Sequence, residues 1–283
     1  MFKFTKMHAL GNNYIYINCF EETLPESELP NIAIKVSQVN TGIGSDGMIL
    51  ICPSHQADFR MRVFNNDGSE AKNCGNGLRC VARYVYDRGL TRNTRFTIET
   101  LGGMVEAQIN LQDELVTSIT IDMGKPRLQK KDVPMQGDPE SHTIHEVWNF
   151  EHGEFALTAL SMGNPHAVII VDDVNDIDVA RIGKEIEFSP LFPERVNVEF
   201  IQMLSQDEID FRVWERGSGI TQACGTGACA AVVAGVLNQR LEKNRPVTVH
   251  LLGGDLEIVW KDDDRVFMSG PAEFIADGVF YLT

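Results

Sequence analysis

Two cysteines in this chain sit where a thiol can do chemistry. Cys224 lies in the stretch W-E-R-G-S-G-I-T-Q-A-C-G-T-G-A-C-A-A, residues 214–231, where a strand end runs into a Gly/Ser loop and then into an apolar small-residue helix. Glycines beside the thiol let backbone N–H groups come close to a bound group. A helix N-terminus favours an anion and is expected to lower the thiol pKa of Cys224 into the range of about 3.5–7.5 seen for activated cysteines. A structural cysteine beside a turn is the plain alternative for an isolated C-G-x-G.

The motif is not isolated. At 150 positions before Cys224, Cys74 occupies F-N-N-D-G-S-E-A-K-N-C-G-N-G-L-R-C-V, residues 64–81. Cys74, Gly75 and Gly77 align with Cys224, Gly225 and Gly227, and Phe64 aligns with Trp214, without a gap. Equivalent thiols in two halves of one chain are paired acid/base candidates. Inverting a stereocentre needs one group to remove the α-hydrogen from one face and another to return a proton to the opposite face. Two helix ends converging on the same carboxylate would stabilise the charge that builds up on it. A disulfide-cycling redox switch is the competing use of two facing thiols, but it leaves the two Gly-rich anion cradles unexplained.

The elements that must position these thiols repeat as well. Gly11-Asn12 and Gly163-Asn164 each precede a strand. The loop 41–47 feeds the strand at 48–51, as the loop 192–197 feeds the strand at 198–201. Strands alternate at 58–64 and 209–214. Helices are expected over 26–39, 78–88 and 227–240, and Gly89 ends one of them as a C-cap. Strands ending in Leu-Gly-Gly recur at 96–103 and 247–254. Residues 125–153, with Pro126, Pro134 and Pro139, read as an irregular insert. A repeat of this length is a domain rather than a solenoid unit. The expected fold is α+β: two pseudo-symmetric domains from an internal duplication, each a strand-rich, barrel-like sheet around a central helix, with the active site in the interdomain cleft.

A chain of 283 residues can bury two cores. The formal net charge of −15 argues against nucleic acid and anionic membrane as partners. No apolar run reaches the roughly 20 residues of a span, and the N-terminus has no signal-peptide core. The expectation is a cytoplasmic protein whose six cysteines are thiols. Cys19 and Cys52 end apolar runs and read as core thiols. The spacings Cys74–Cys80 and Cys224–Cys229 are not those of structural zinc ligands. With no pattern for a metal or for a pyridoxal-phosphate lysine, the expected cofactor set is empty.

The matching pieces K-M-H-A-L-G-N-N (6–13), the Cys74 stretch, G-N-P-H (163–166), F-P-E-R-V-N-V (192–198) and the Cys224 stretch resemble the diaminopimelate epimerase family over nearly the full chain. The resemblance implies a cofactor-independent isomerase converting LL-2,6-diaminopimelate to the meso isomer in lysine and cell-wall precursor synthesis, and a homodimer. It implies closing strands exchanged between domains, giving residues 1–118 plus 265–283 and residues 119–264. It makes Cys74 and Cys224 the base/acid pair, tuned by His166 and Glu215. Gly75, Asn76, Gly225 and Thr226 become the carboxylate cradle, and Asn12, Asn65, Asn164, Asn197, Glu215 and Arg216 the substrate ligands. Some members carry Gln where this chain has Gly47.

Read without the resemblance, Asn65 and Asn164 are turn residues, Asn197 a loop cap, His166 a satisfied histidine and Glu215-Arg216 a solvated pair. The distal amino-acid centre of diaminopimelate tips these readings. It calls for an Arg on its carboxylate, a Glu on its ammonium and amides for the rest. A proline or hydroxyproline racemase would leave Glu215-Arg216 unused. A non-catalytic amino-acid-binding protein would not need the thiols.

Overall fold

The computed structural model describes residues 1–282. The chain forms two compact units, one of Met1–Ile121 with the chain from Ser269 onward, the other Asp122–Met268. These bounds fall a few residues beyond those the family resemblance implied. Ile119 and Ile121 stay with the first unit because they pair with Ile109 and Ala107.

The first unit runs β1 (Phe2–Ala9), β2 (Asn12–Asn18), α1 (Leu29–Ser37), β3 (Gly47–Cys52), β4 (Phe59–Asn65), β5 (Glu70–Ala71), α2 (Gly75–Asp87), β6 (Arg95–Thr100), β7 (Gly103–Gln112) and β8 (Leu115–Asp122). Strands β2 and β3 are parallel, with Ile15 opposite Met48, and β4 and β6 are parallel. The other neighbours are antiparallel.

The second unit repeats this order. Its first strand, β9 (Thr143–Phe150), is followed by β10 (Gly153–Ser161), β11 (Pro165–Val171), α3 (Val179–Glu187), β12 (Asn197–Met203), β13 (Glu208–Glu215) and β14 (Gly219–Ile220). Then come α4 (Gly225–Leu237), β15 (Val247–Leu251), β16 (Gly254–Trp260) and β17 (Val266–Gly270), whose last two residues already belong to the first unit. Strands β11 and β12 are parallel, with His166 opposite Asn197, and β13 is parallel to β15. Back in the first unit, β18 (Glu273–Phe280) pairs with β1 as β9 pairs with β10.

The duplication is therefore visible in topology and register. Each half has one central helix. Helix α2 packs on β1, β2, β4 and β7, and α4 on β10, β11, β12, β13 and β16. A second helix covers the opposite face: Leu29, Ile32, Ala33 and Val36 of α1 pack on Ile15, Ile17, Met48 and Leu50. Ile182 and Ile186 of α3 do the same on Ala167, Ile169, Val198 and Phe200. Strands covered on both faces read as continuous apolar runs, such as Met48-Ile49-Leu50-Ile51. Helix α4 is built almost wholly of small apolar residues because it is buried all round.

Three expectations need correction. The insert 125–153 contains β9, whose pairing with β10 makes a hairpin through Phe150 and Gly153. The two central helices begin at Gly75 and Gly225, earlier than periodicity suggested, because the cysteines themselves cap them. Cys19 and Cys52 are half-buried at the edge of a core cluster rather than inside it. No helix among the described residues is long and apolar enough to cross a membrane.

Candidate active site

Each cradle is built by the same local rule. Cys74 has extended backbone geometry and is the N-cap of α2, and its sulfur accepts the N–H of Gly77 at 3.3 Å. Cys224 caps α4 and accepts from Gly227 at 3.4 Å. A cap side chain of this kind satisfies one of the orphan donors of the first turn. Glycine is the residue that fits at the third position after each cysteine without displacing a neighbour. A Cβ on Gly77 would lie 2.5 Å from Ile49 Cδ1, and one on Gly227 would lie 2.9 Å from Glu199 Oε1 and 3.2 Å from Cys224 Sγ.

In the first unit, Asn12 at the start of β2 joins the cradle. Its Oδ1 accepts from Asn76 Nδ2 at 3.2 Å and lies 3.9 Å from Cys74 Sγ. Its Nδ2 donates to Asp46 Oδ2 at 2.8 Å, and the same oxygen accepts the backbone N–H of Asn13. Asn76 is held from behind by Arg79, a fully buried arginine whose guanidinium donates to Asn76 Oδ1 at 2.9 Å and to the Pro271 carbonyl at 3.2 Å. Asn65 ends β4 and gives its Nδ2 to Ser69 Oγ at 3.0 Å, so its contact lies within its own turn.

Asp46, Arg79 and Tyr14 were not among the predicted site residues. Asp46 sat in a loop already picked out as feeding a strand. Tyr14 looked like an ordinary strand aromatic, yet burial first, then Cys74 and Asp46, hold its phenol well above the ordinary range.

In the second unit, Thr226 follows Gly225 in the first turn, and its Oγ1 lies 3.6 Å from Cys224 Sγ. Asn164 Nδ2 donates to that hydroxyl at 3.2 Å, and Asn164 Oδ1 meets His166 Nε2 at 3.0 Å. His166 Nδ1 is 2.6 Å from Glu199 Oε1, with both side chains fully buried. Asn197 accepts the backbone N–H of Arg216 at 2.9 Å and donates to the Pro165 carbonyl at 3.0 Å, which ties β11, β12 and the end of β13 together. The Glu215 carboxylate accepts the Thr221 hydroxyl, and burial holds its pKa up. The Arg216 guanidinium donates to the Glu194 carbonyl at 3.1 Å.

Sequence reasoning missed Glu199. A glutamate inside the apolar run Asn197–Met203 was the available signal, because a charge fully inside a core needs a partner. The expected low pKa of Cys224 is also overturned. Burial, then Glu215 and Glu199, push the thiol well above its ordinary value, outweighing the Thr226 and Gly227 hydrogen bonds that pull it down. Within this site, burial and the two carboxyls therefore favour the neutral thiol form of Cys224.

Metal ligation was set aside on spacing. Among the described residues, Glu151, His152 and Glu185 bring three ligand atoms within 4.8 Å of one another, and none of them belongs to either cradle.

Gly47 sits opposite Asn65 in the β3–β4 ladder. A Cβ there would lie 2.2 Å from the Phe64 carbonyl oxygen and 2.8 Å from the Tyr14 ring. Gly47→Gln is accordingly expected to cost about 3 kcal/mol of stability by overpacking. Thermal unfolding checks this, and a variant melting with the parent would show that the strand yields.

A profile of the family described as Diaminopimelate epimerase matches residues 4–129 and 158–275. A diaminopimelate epimerase of Bacillus velezensis is 60% identical over 281 residues, covering 99% of each chain. One from Bacillus cereus is 58% identical over 279 residues, covering 99% of this chain and 97% of its own. Distant solved structures share the fold. A probable proline racemase from Agrobacterium radiobacter has TM-score 0.72 at 14% identity, covering 100% of this chain and 94% of its own. A phenazine biosynthesis protein of the PhzF family from Bacillus anthracis has TM-score 0.70 at 17% identity, covering 99% of each chain. Two thiol-capped helices in duplicated units, with full-length identity of this order to named relatives, establish that the chain belongs to the diaminopimelate epimerase family.

Proposed function

We propose that this protein is an isomerase that interconverts LL-2,6-diaminopimelate and its meso isomer without a cofactor, using Cys74 and Cys224 as the acid/base pair. The observation that carries the reading is the matched pair of cysteine caps, each with a glycine N–H on its sulfur, in a chain of this family. One sulfur, as thiolate, removes the α-hydrogen. The other, as thiol, delivers its proton to the opposite face of the same carbon. The raised pKa of Cys224 suits it to enter as the thiol. The first-turn N–H groups of both helices are suited to the reacting carboxylate, on which charge grows as the carbon becomes planar.

The distal centre calls on other groups. Arg216 binds its carboxylate, Glu215 its ammonium, and Asn65, Asn164 and Asn197 supply amides. Asn12, hydrogen-bonded to Asn76 beside Cys74, serves the reacting centre. Glu215 tunes Cys224 directly through its charge, and His166 through the groups it touches. A racemase of cyclic amino acids has no use for Glu215 and Arg216. By family resemblance, the reading extends to a cytoplasmic homodimer serving lysine and peptidoglycan-precursor synthesis.

Incubating the LL isomer with purified protein and no added cofactor is expected to produce the meso isomer on chiral chromatography. An LL isomer that persists unchanged would overturn the assignment.

A further inference from the structure

We propose that Glu199, His166 and Asn164 are positioning residues that fix the direction of a hydrogen-bond relay ending on Cys224, so that the Thr226 hydroxyl points its hydrogen at the sulfur. This deepens the reading above and rests on it for its catalytic meaning, though not for its test.

The polarity follows from the contacts. The Asn164 amide gives its Nδ2 to Thr226 Oγ1 at 3.2 Å, which turns its Oδ1 toward His166 Nε2 at 3.0 Å. A carbonyl oxygen only accepts, so Nε2 carries a hydrogen. The remaining proton of the pair lies in the 2.6 Å contact between His166 Nδ1 and Glu199 Oε1. Glu199 thus decides the tautomer and holds the ring in place, as the partner on the far nitrogen of a histidine does. Either atom could donate in the 3.6 Å contact between Thr226 Oγ1 and Cys224 Sγ; with its oxygen already accepting from Asn164, the hydroxyl has its hydrogen free for the sulfur, and the relay assigns it that direction. The link helps form the thiolate: the Thr226 hydrogen bond lowers the Cys224 pKa against burial and the charges of Glu215 and Glu199.

The groups that bear on this sulfur are Glu215 on β13, Glu199 on β12, Thr226 and Gly227 on α4 and, through Asn164, His166 on β11. A buried pair that costs desolvation is retained here because it sets a direction. Among the described residues Glu199 Oε2 has no hydrogen-bond partner, which shows that cost.

The test is the pH dependence of Cys224 alkylation by iodoacetamide, read by peptide mass spectrometry without substrate. Thr226→Val is expected to raise the apparent pKa by about one unit, and Thr226→Ser to restore it. Glu199→Gln keeps a donor on Nδ1 and leaves the relay running, so its pKa stays at or below that of the parent. Glu199→Leu loses the same charge but also lets the ring and the amide turn, so its pKa lies above that of Glu199→Gln. In the Thr226→Val background it causes no further rise. If Glu199 acted only as a charge, Gln and Leu would lower the pKa to the same value. That result, a parental value for Thr226→Val, or additive rises in the double variant would overturn the relay. A parent that fails to epimerise would instead sink the functional reading and leave these shifts in place. Thr226→Val and Glu199→Gln keep the test decisive should the Leu variant not fold.

Discussion

Cys74→Ala and Cys224→Ala are each expected to lower kcat/KM by about 10⁴-fold or more, the upper range for a general acid or base. Either loss alone suffices, because inversion needs both proton transfers and the group on one face cannot serve the other. Both variants are expected to fold. Each cysteine contributes a helix cap through one sulfur hydrogen bond, and removing such a cap costs about 1 kcal/mol. Serine at either position keeps a cap but is a far weaker acid and base, and only trace activity is expected. Steady-state kinetics with a circular dichroism control checks this. A folded alanine variant within tenfold of the parent would remove that thiol from the chemistry.

Arg216→Met is expected to cost about 10²- to 10³-fold in kcat/KM with little change in melting temperature. The position is held by the backbone, since the Arg216 N–H is fixed by Asn197 Oδ1 at 2.9 Å. The guanidinium donates to the Glu194 carbonyl at 3.1 Å and keeps further N–H groups for a ligand. It carries five N–H groups in a fork that matches a carboxylate. On the proposed reading, its loss is expected to strand the distal carboxylate of a bound substrate and misplace the reacting carbon. Both KM and kcat are expected to suffer. Parental kcat/KM in a folded variant would take Arg216 out of substrate binding.

Much of this was legible in the residues. The gap-free match of the Cys74 and Cys224 stretches carried the duplication, and the two halves repeat the same strand order and the same parallel pairings. The C-G-x-G spacing carried the cap, because its last glycine is where a Cβ would strike a neighbour.

What stayed hidden depends on packing across the sheet. Glu199 looked like one polar residue in a strand until β11 placed His166 within 2.6 Å of it. The acidity of Cys224 was misread because a helix end was weighed without the burial and the two carboxyls around it. Strand β9 was missed because only part of its length is covered, so its polar residues resembled a loop. Tyr14 gave no sign of chemistry because its neighbours Cys74 and Asp46 are far from it in the chain.

The central claim is that a thiolate and a thiol, each sulfur able to hold a single proton, act on opposite faces of one carbon. In deuterated water the waiting thiol is already S–D before substrate binds. The hydrogen leaving the LL centre goes to the other sulfur. The account predicts that, at low conversion, the newly formed meso isomer carries deuterium at the inverted carbon while the recovered LL isomer stays nearly unlabelled. Return to the same face brings back the original hydrogen. A single base with several protons would label both isomers or hand the original hydrogen to the product. Proton NMR and mass spectrometry of both isomers read the outcome. Substantial original hydrogen in the meso product, or early deuterium in recovered LL substrate, would contradict two opposed thiols.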